Sequence, residues 1–132
     1  RLPHNVLRAI MNVEERTRTN SRISVNLAID YGGRDEIKRA FQRLAKKAAL
    51  GEISPDDIGE EDISSHLDTS GVPDPDLIIR TGGEKRISNF LIWQSAYAEL
   101  VVTPVLWPDF SRQDLLMAIS EYQQRDRRFG SV

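Results

Sequence analysis

The chain has 132 residues, 39% of them apolar, no cysteine, and a net charge of −2 from 18 Lys and Arg against 20 Asp and Glu. That suffices for one modest domain and excludes a disulfide framework or a thiolate zinc site, while fitting a reducing compartment. There is no overall basic excess pointing to nucleic acid, and no apolar run near the roughly 18 residues that span a bilayer. The opening Arg1-Leu2-Pro3-His4-Asn5 has no apolar region typical of a signal peptide and does not start with Met, so a piece of a longer chain is expected.

Pro3 suits the first position of a helix, and Val6, Leu7, Ile10, Met11 and Val13 follow at helical spacing. Residues 24–30 read as a strand, with Val25, Leu27 and Ile29 on one face, broken by Tyr31-Gly32-Gly33. Ile37, Ala40, Phe41, Leu44, Ala45 and Ala48 then mark the clearest helix, with Gly51 as its C-terminal cap. Ser54-Pro55-Asp56-Asp57 reads as a helix start, with acids at the positive end of the dipole. Leu77-Ile78-Ile79 is a short apolar run of the kind found in a central strand covered on both faces. Residues 89–100 read as a largely buried helix, and Val101-Val102 as another extended piece ended by Trp107-Pro108-Asp109. Trp93 and Trp107 read as packing residues. Ser111 and Asp114 form a capping-box pattern before the last helix, whose end carries Arg125, Arg127 and Arg128.

Helices alternating with strands predict an α/β fold, part of a three-layer open, mostly parallel sheet flanked by helices. Three short strands make a thin sheet, and the apolar run at 77–79 needs neighbours on both sides. Residues 1–132 are therefore expected to form a single incomplete domain.

The chemistry concentrates in Asp76-Leu-Ile-Ile-Arg80-Thr-Gly82-Gly83-Glu84-Lys85-Arg86-Ile87-Ser88-Asn89-Phe90. The strand delivers Arg80 at its C-terminal end, the edge where open α/β sheets bind ligands. Gly82 and Gly83 allow a sharp turn, Arg86 follows six residues after Arg80, and Ser88 is placed to cap the next helix. Two guanidinium forks, a hydroxyl and a helix N-terminus suit a diphosphate. The plainer alternative stays open: surface ion pairs and an ordinary Gly-Gly turn. The spacing matches neither a Walker loop nor the dinucleotide fingerprint. His4 and His66 lack metal-ligand spacing, and the acids at 56–62 read as a solvated helix start.

Residues 76–90, with Trp93-Gln94, Tyr97-Ala98-Glu99-Leu100 and Leu106-Trp107-Pro108-Asp109-Phe110 in order after them, resemble the signature of cis-prenyltransferases of the undecaprenyl diphosphate synthase family, in its C-terminal part. Asn26 with Tyr31-Gly32-Gly33-Arg34 is similar to the family's Asn-x-x-x-x-Tyr-Gly-Gly-Arg region, and Arg127-Arg128-Phe129-Gly130 to its basic end. The resemblance implies condensation of isopentenyl diphosphate onto an allylic diphosphate such as farnesyl diphosphate, with Mg²⁺. The product would be a long-chain polyprenyl diphosphate, undecaprenyl diphosphate above all, for a cell-wall lipid carrier. It implies that Arg80, Arg86, Ile87 and Ser88 bind isopentenyl diphosphate, and that Glu84 orients an arginine. Glu99 matches a position linked to Mg²⁺, with a solvated or capping carboxylate as the alternative. A homodimer in the cytoplasm, with peripheral membrane contact, is implied as well. On a single helix, Ser88 and Glu99 would lie about 16 Å apart, so Glu99 is expected to act across the dimer. Gly82, Gly83, Glu84, Arg128 and Gly130 would support the dimer or the site, or Arg128 to Gly130 would simply cap a helix. The family's His-Met-Asp-Gly-Asn type motif, with its catalytic aspartate, does not occur in these residues. Two readings follow: part of a catalytic prenyltransferase, inactive by itself, or a non-catalytic interaction or regulatory subunit that keeps the diphosphate half-site.

Overall fold

A computed structural model describes residues 2–125. The elements run α1 (His4–Thr17), α2 (Gly33–Ala49), α3 (Glu60–Ser65), β1 (Leu77–Arg80), β2 (Glu99–Val102) and α4 (Arg112–Gln123). The fold is α/β, and the two strands are parallel, with Leu77 opposite Glu99 and Arg80 opposite Val102.

α1 begins after Pro3, whose carbonyl accepts from the N–H of Val6 and Leu7 at 3.0 and 3.1 Å. None of its residues is buried. α2 places Asp35 and Glu36 in its first turn and Lys46 and Lys47 in its last, each matched to the dipole. Gly51, at φ 72°, ends it in a Schellman arrangement. The Gly51 N–H donates to Ala48 O at 3.0 Å and the Glu52 N–H to Lys47 O at 2.9 Å. The buried stripe of α2 is Glu36, Ala40 and Leu44, four residues apart. Leu67, Val101 and Ala118 complete a small core. α2 packs on α3, and α4 packs on β2. The capping box of α4 forms as the sequence predicts: the Ser111 N–H donates to Asp114 Oδ2 at 2.8 Å, and the Asp114 N–H to Ser111 Oγ at 3.4 Å.

Three sequence expectations are corrected. Residues 24–29 are not a strand, because no neighbouring strand among the described residues supplies a ladder. Ile23, Val25 and Leu27 are consequently 73–79% exposed. The helix start at Ser54, by contrast, holds: a 3-10 turn, Pro55–Asp57, with Ser54 at its N-cap, is followed by the short α3. Trp107 is 74% exposed rather than packed inside; its ring stacks on Phe110.

The largest correction concerns residues 89–100, which form no helix: turns and bends fill 89–97, and Glu99 and Leu100 already belong to β2. Ser88, Asn89 and Leu91 have φ of 47°, 65° and 45°, outside the right-handed helical region. The end of the segment is drawn into the sheet, where the Glu99 N–H donates to Asp76 O at 2.9 Å. Parallel strands need a crossover of a dozen or more residues. Residues 81–98 supply it without a helix.

Candidate functional site

β1 carries Arg80 to the C-terminal edge of the parallel pair. The chain then turns through Gly82 and Gly83, at φ 84° and 77°, a conformation that excludes most side chains. Their N–H groups donate to Val105 O and Thr103 O, both at 2.9 Å, so the turn is tied to the segment after β2. Glu84 comes to lie between two guanidinium groups. Its Oε2 accepts from Arg80 Nη2 at 2.7 Å and its Oε1 from Arg86 Nη2 at 2.5 Å. The Arg80 hydrogen bond first, and the Arg86 charge next, hold the Glu84 carboxyl below its ordinary value. Arg86 Nε also donates to Ser88 Oγ at 3.2 Å.

One carboxylate against two guanidinium groups leaves this cluster net positive, and among the described residues Arg80 and Arg86 direct their side-chain hydrogen bonds to Glu84 and Ser88. Among the described residues, Arg80 Nε is buried without a partner. A cavity of about 410 Å³ opens beside these groups. Arg80, Thr81 and Arg86 form its polar side, and Ile78, Ile79, Ile87, Phe90 and Leu100 its apolar wall. Such a cavity can take an anion with a short hydrocarbon attached. The helix N-terminus expected at Ser88 is absent, so no helix dipole at Ser88 adds to the attraction of Arg80 and Arg86 for an anion.

Glu99 begins β2, at the opposite end of the ladder from Arg80. Three residues of strand separate the levels of Glu99 and Val102, about 10 Å. Glu99 Oε2 pairs with Arg125 Nη1 at 2.7 Å, and the same nitrogen donates to Leu100 O at 3.1 Å. Among the described residues no group of three or more His, Asp or Glu could hold a metal ion. One carboxylate already paired with a guanidinium does not make a Mg²⁺ site by itself. Arg128 and Gly130 lie outside the described residues.

Sequence reasoning missed one assembly next to this site. Glu36 is 1% exposed, and its carboxylate accepts from Tyr31 Oη at 2.5 Å, the Asp68 N–H at 2.8 Å and Gln94 Nε2 at 3.2 Å. Burial first, and the hydrogen bond to Glu36 next, push the Tyr31 hydroxyl above its ordinary value. The signal was available: Glu36 falls four residues before Ala40 and eight before Leu44, on the stripe that otherwise packs inside.

The fold and this edge define an α/β protein with a two-arginine pocket at the C-terminal end of parallel strands. The chain belongs to the family described as putative undecaprenyl diphosphate synthase, whose model matches residues 1–130. An isoprenyl transferase of Rhizobium meliloti (strain 1021) is 51% identical over 131 residues, covering 99% of this chain and 53% of that protein. An isoprenyl transferase of Chlamydia trachomatis is 56% identical over 130 residues, covering 98% of this chain and 51% of the relative. Lavandulyl diphosphate synthase from Lavandula x intermedia, solved with dimethylallyl diphosphate, matches with a TM-score of 0.92 and 42% identity over 99% of this chain and 56% of its own. A probable undecaprenyl diphosphate synthase from Campylobacter jejuni matches with a TM-score of 0.77 and 39% identity, covering 99% of this chain and 59% of that one. The chain thus spans about half the length of the curated relatives it matches.

Proposed function

We propose that this chain forms the isopentenyl diphosphate half-site of a cis-prenyltransferase. The observation that carries the reading is the gathering of Arg80 and Arg86 around Glu84, beside an apolar-walled cavity. Arg80 and Arg86 take the diphosphate, with Ser88 as a neutral hydrogen-bonding partner. Ile87 and Phe90 cover the short isoprenoid chain. Glu84 stays off the phosphate, because two anions repel, and holds both guanidinium groups apart at a fixed spacing.

The reaction is elongation of an allylic diphosphate, such as farnesyl diphosphate, to a long-chain polyprenyl diphosphate of the undecaprenyl class. That product would serve as a cell-wall lipid carrier, made by a cytoplasmic homodimer in peripheral contact with the membrane. Mg²⁺, when bound, would offset the charge of the diphosphates. Glu99 is its candidate ligand as one carboxylate, with substrate phosphates as further ligands. The Arg80-to-Glu99 separation along the ladder supports a role for Glu99 at another subunit's site.

Calorimetric binding of isopentenyl and farnesyl diphosphate to the intact protein and its Arg80→Ala variant tests this. Loss of a charge-assisted contact weakens isopentenyl diphosphate by about 1.5–3 kcal/mol and leaves farnesyl diphosphate less affected. Unchanged isopentenyl diphosphate affinity would remove the basis of the assignment.

A further inference from the structure

The first turn of α2 touches the segment after Arg86 at successive points. The Gly33 N–H donates to the Asn89 carbonyl at 2.8 Å, and the Arg34 N–H to Asn89 Oδ1 at 2.9 Å. The Tyr31 ring meets Phe90 edge-on, with centroids 5.7 Å apart. One turn further on, Glu36 accepts from Gln94. These contacts hold a backbone that side chains with a Cβ rarely adopt, since Ser88, Asn89 and Leu91 all have positive φ.

Two glycines make the close approach possible. A Cβ at Gly32 would lie 2.9 Å from Asn89 Nδ2. A Cβ at Gly33 would lie 3.0 Å from Ile92 Cγ1, 3.1 Å from Asn89 O and 3.2 Å from Ile92 N. Two of the three neighbours at Gly33 are main-chain atoms, which cannot swing aside as a side-chain tip can. Neither glycine has a positive φ, so space and not conformation demands glycine here. None of Gly32, Gly33 and Asn89 lines the two-arginine cavity. Yet Asn89 directly follows Ser88, whose hydroxyl meets Arg86.

Resting on the half-site reading above, we propose that Gly32, Gly33 and Asn89 form a positioning clamp: the start of α2 grips the 88–92 turn and thereby sets Ser88 and Arg86 for the diphosphate. The helix N-terminus of α2 acts here on a side chain and a carbonyl of the protein itself. Asn at position 89 serves twice, since it tolerates the left-handed conformation and caps α2 from outside the helix. Moving Asn89 by a few tenths of an ångström shifts the Ser88 hydroxyl against the guanidinium.

The test is calorimetric titration of the intact protein with isopentenyl diphosphate and, separately, farnesyl diphosphate. Wild type is compared with Gly33→Ala, Asn89→Ala and Arg80→Ala. Both clamp variants are expected to bind isopentenyl diphosphate about tenfold more weakly, with unchanged stoichiometry and unchanged farnesyl diphosphate affinity. A purely structural role would instead lower the number of competent sites for both ligands alike, and that result overturns the clamp. If Arg80→Ala weakens isopentenyl diphosphate while both clamp variants match wild type, the clamp is refuted and the half-site reading stands. If Arg80→Ala also matches wild type, the half-site reading fails and the clamp falls with it.

Discussion

Replacing Glu36 by Ala should be among the most damaging single changes in this chain. The carboxylate is 1% exposed and receives hydrogen bonds from three residues. Its removal takes the acceptor from the part-buried Asp68 N–H and from one of the two Gln94 Nε2 hydrogens, the other keeping Thr69 Oγ1 at 2.8 Å, at about 1–3 kcal/mol for each unsatisfied group. The Tyr31 hydroxyl is half-buried and can turn to water, so it contributes less. Removing the carboxylate also removes its own desolvation cost, which trims the loss. The net expectation is about 2–4 kcal/mol, a large share of the roughly 5–15 kcal/mol that holds a domain together. That corresponds to a fall in Tm of about 8–20 °C. Glu36→Gln should cost less, about 1–2 kcal/mol, because one acceptor remains and Gln94 Oε1, which has no partner among the described residues in the wild type, can turn to accept from the new amide. Thermal unfolding followed by the helical circular dichroism signal measures both. A loss under about 1 kcal/mol for Glu36→Ala, or equal losses for Ala and Gln, would refute the view of Glu36 as a buried hydrogen-bond hub.

The same turn of α2 predicts a pH effect. Asp68 accepts two Arg39 hydrogen bonds of 2.6 Å, and these hold its carboxyl below the ordinary 3.8. Its folded pKa is depressed, so its stabilising contribution is complete above pH 3.8 and is lost as the pH falls through the lowered value. Tm should therefore fall more steeply in acid for wild type than for Asp68→Asn; parallel curves would contradict this. Gly51→Ala forces a side chain into φ 72° at the end of α2 and should cost about 1 kcal/mol in chemical denaturation. A neutral result would mean that the Schellman turn contributes nothing to stability. The 132-residue chain assayed by itself should incorporate no radiolabelled isopentenyl diphosphate, because it contains no His-Met-Asp-Gly-Asn type motif to activate an allylic diphosphate. Measurable incorporation would overturn that expectation.

α2 and α4 were legible because their signals are local. An apolar stripe, a positive-φ glycine and a Ser-x-x-Asp box act within a few residues, and the structure adds only what they face. The β1 strand and the arrival of Arg80 at its end were legible for the same reason. Residues 89–100 misled because apolar density was read as a buried helix, whereas in this segment Gln94 alone is buried and Phe90 and Tyr97 are exposed. The turn that replaces the helix is tied to a residue 55 positions away in the chain, through the Arg34 N–H to Asn89 Oδ1. Residues 24–30 misled in the opposite way: alternation is a property of one strand, whereas a strand exists only with a neighbour to bond.

The sequence by itself determined the family, the α/β class, and the placing of Arg80, Gly82-Gly83, Arg86 and Ser88 around one short strand end. Composition, periodicity and ordered motifs carry that information without reference to distant residues. Only the tertiary structure decided that Glu84 bridges both guanidinium groups, that Glu99 lies at the far end of the ladder against Arg125, and that α2 closes on Asn89. The Glu99 and Asn89 contacts join residues far apart in the chain, and such hydrogen bonds leave no periodic trace in it; the Glu84 bridge is local but depends on the positive-φ turn at Gly82 and Gly83 that folds Arg86 back beside Arg80.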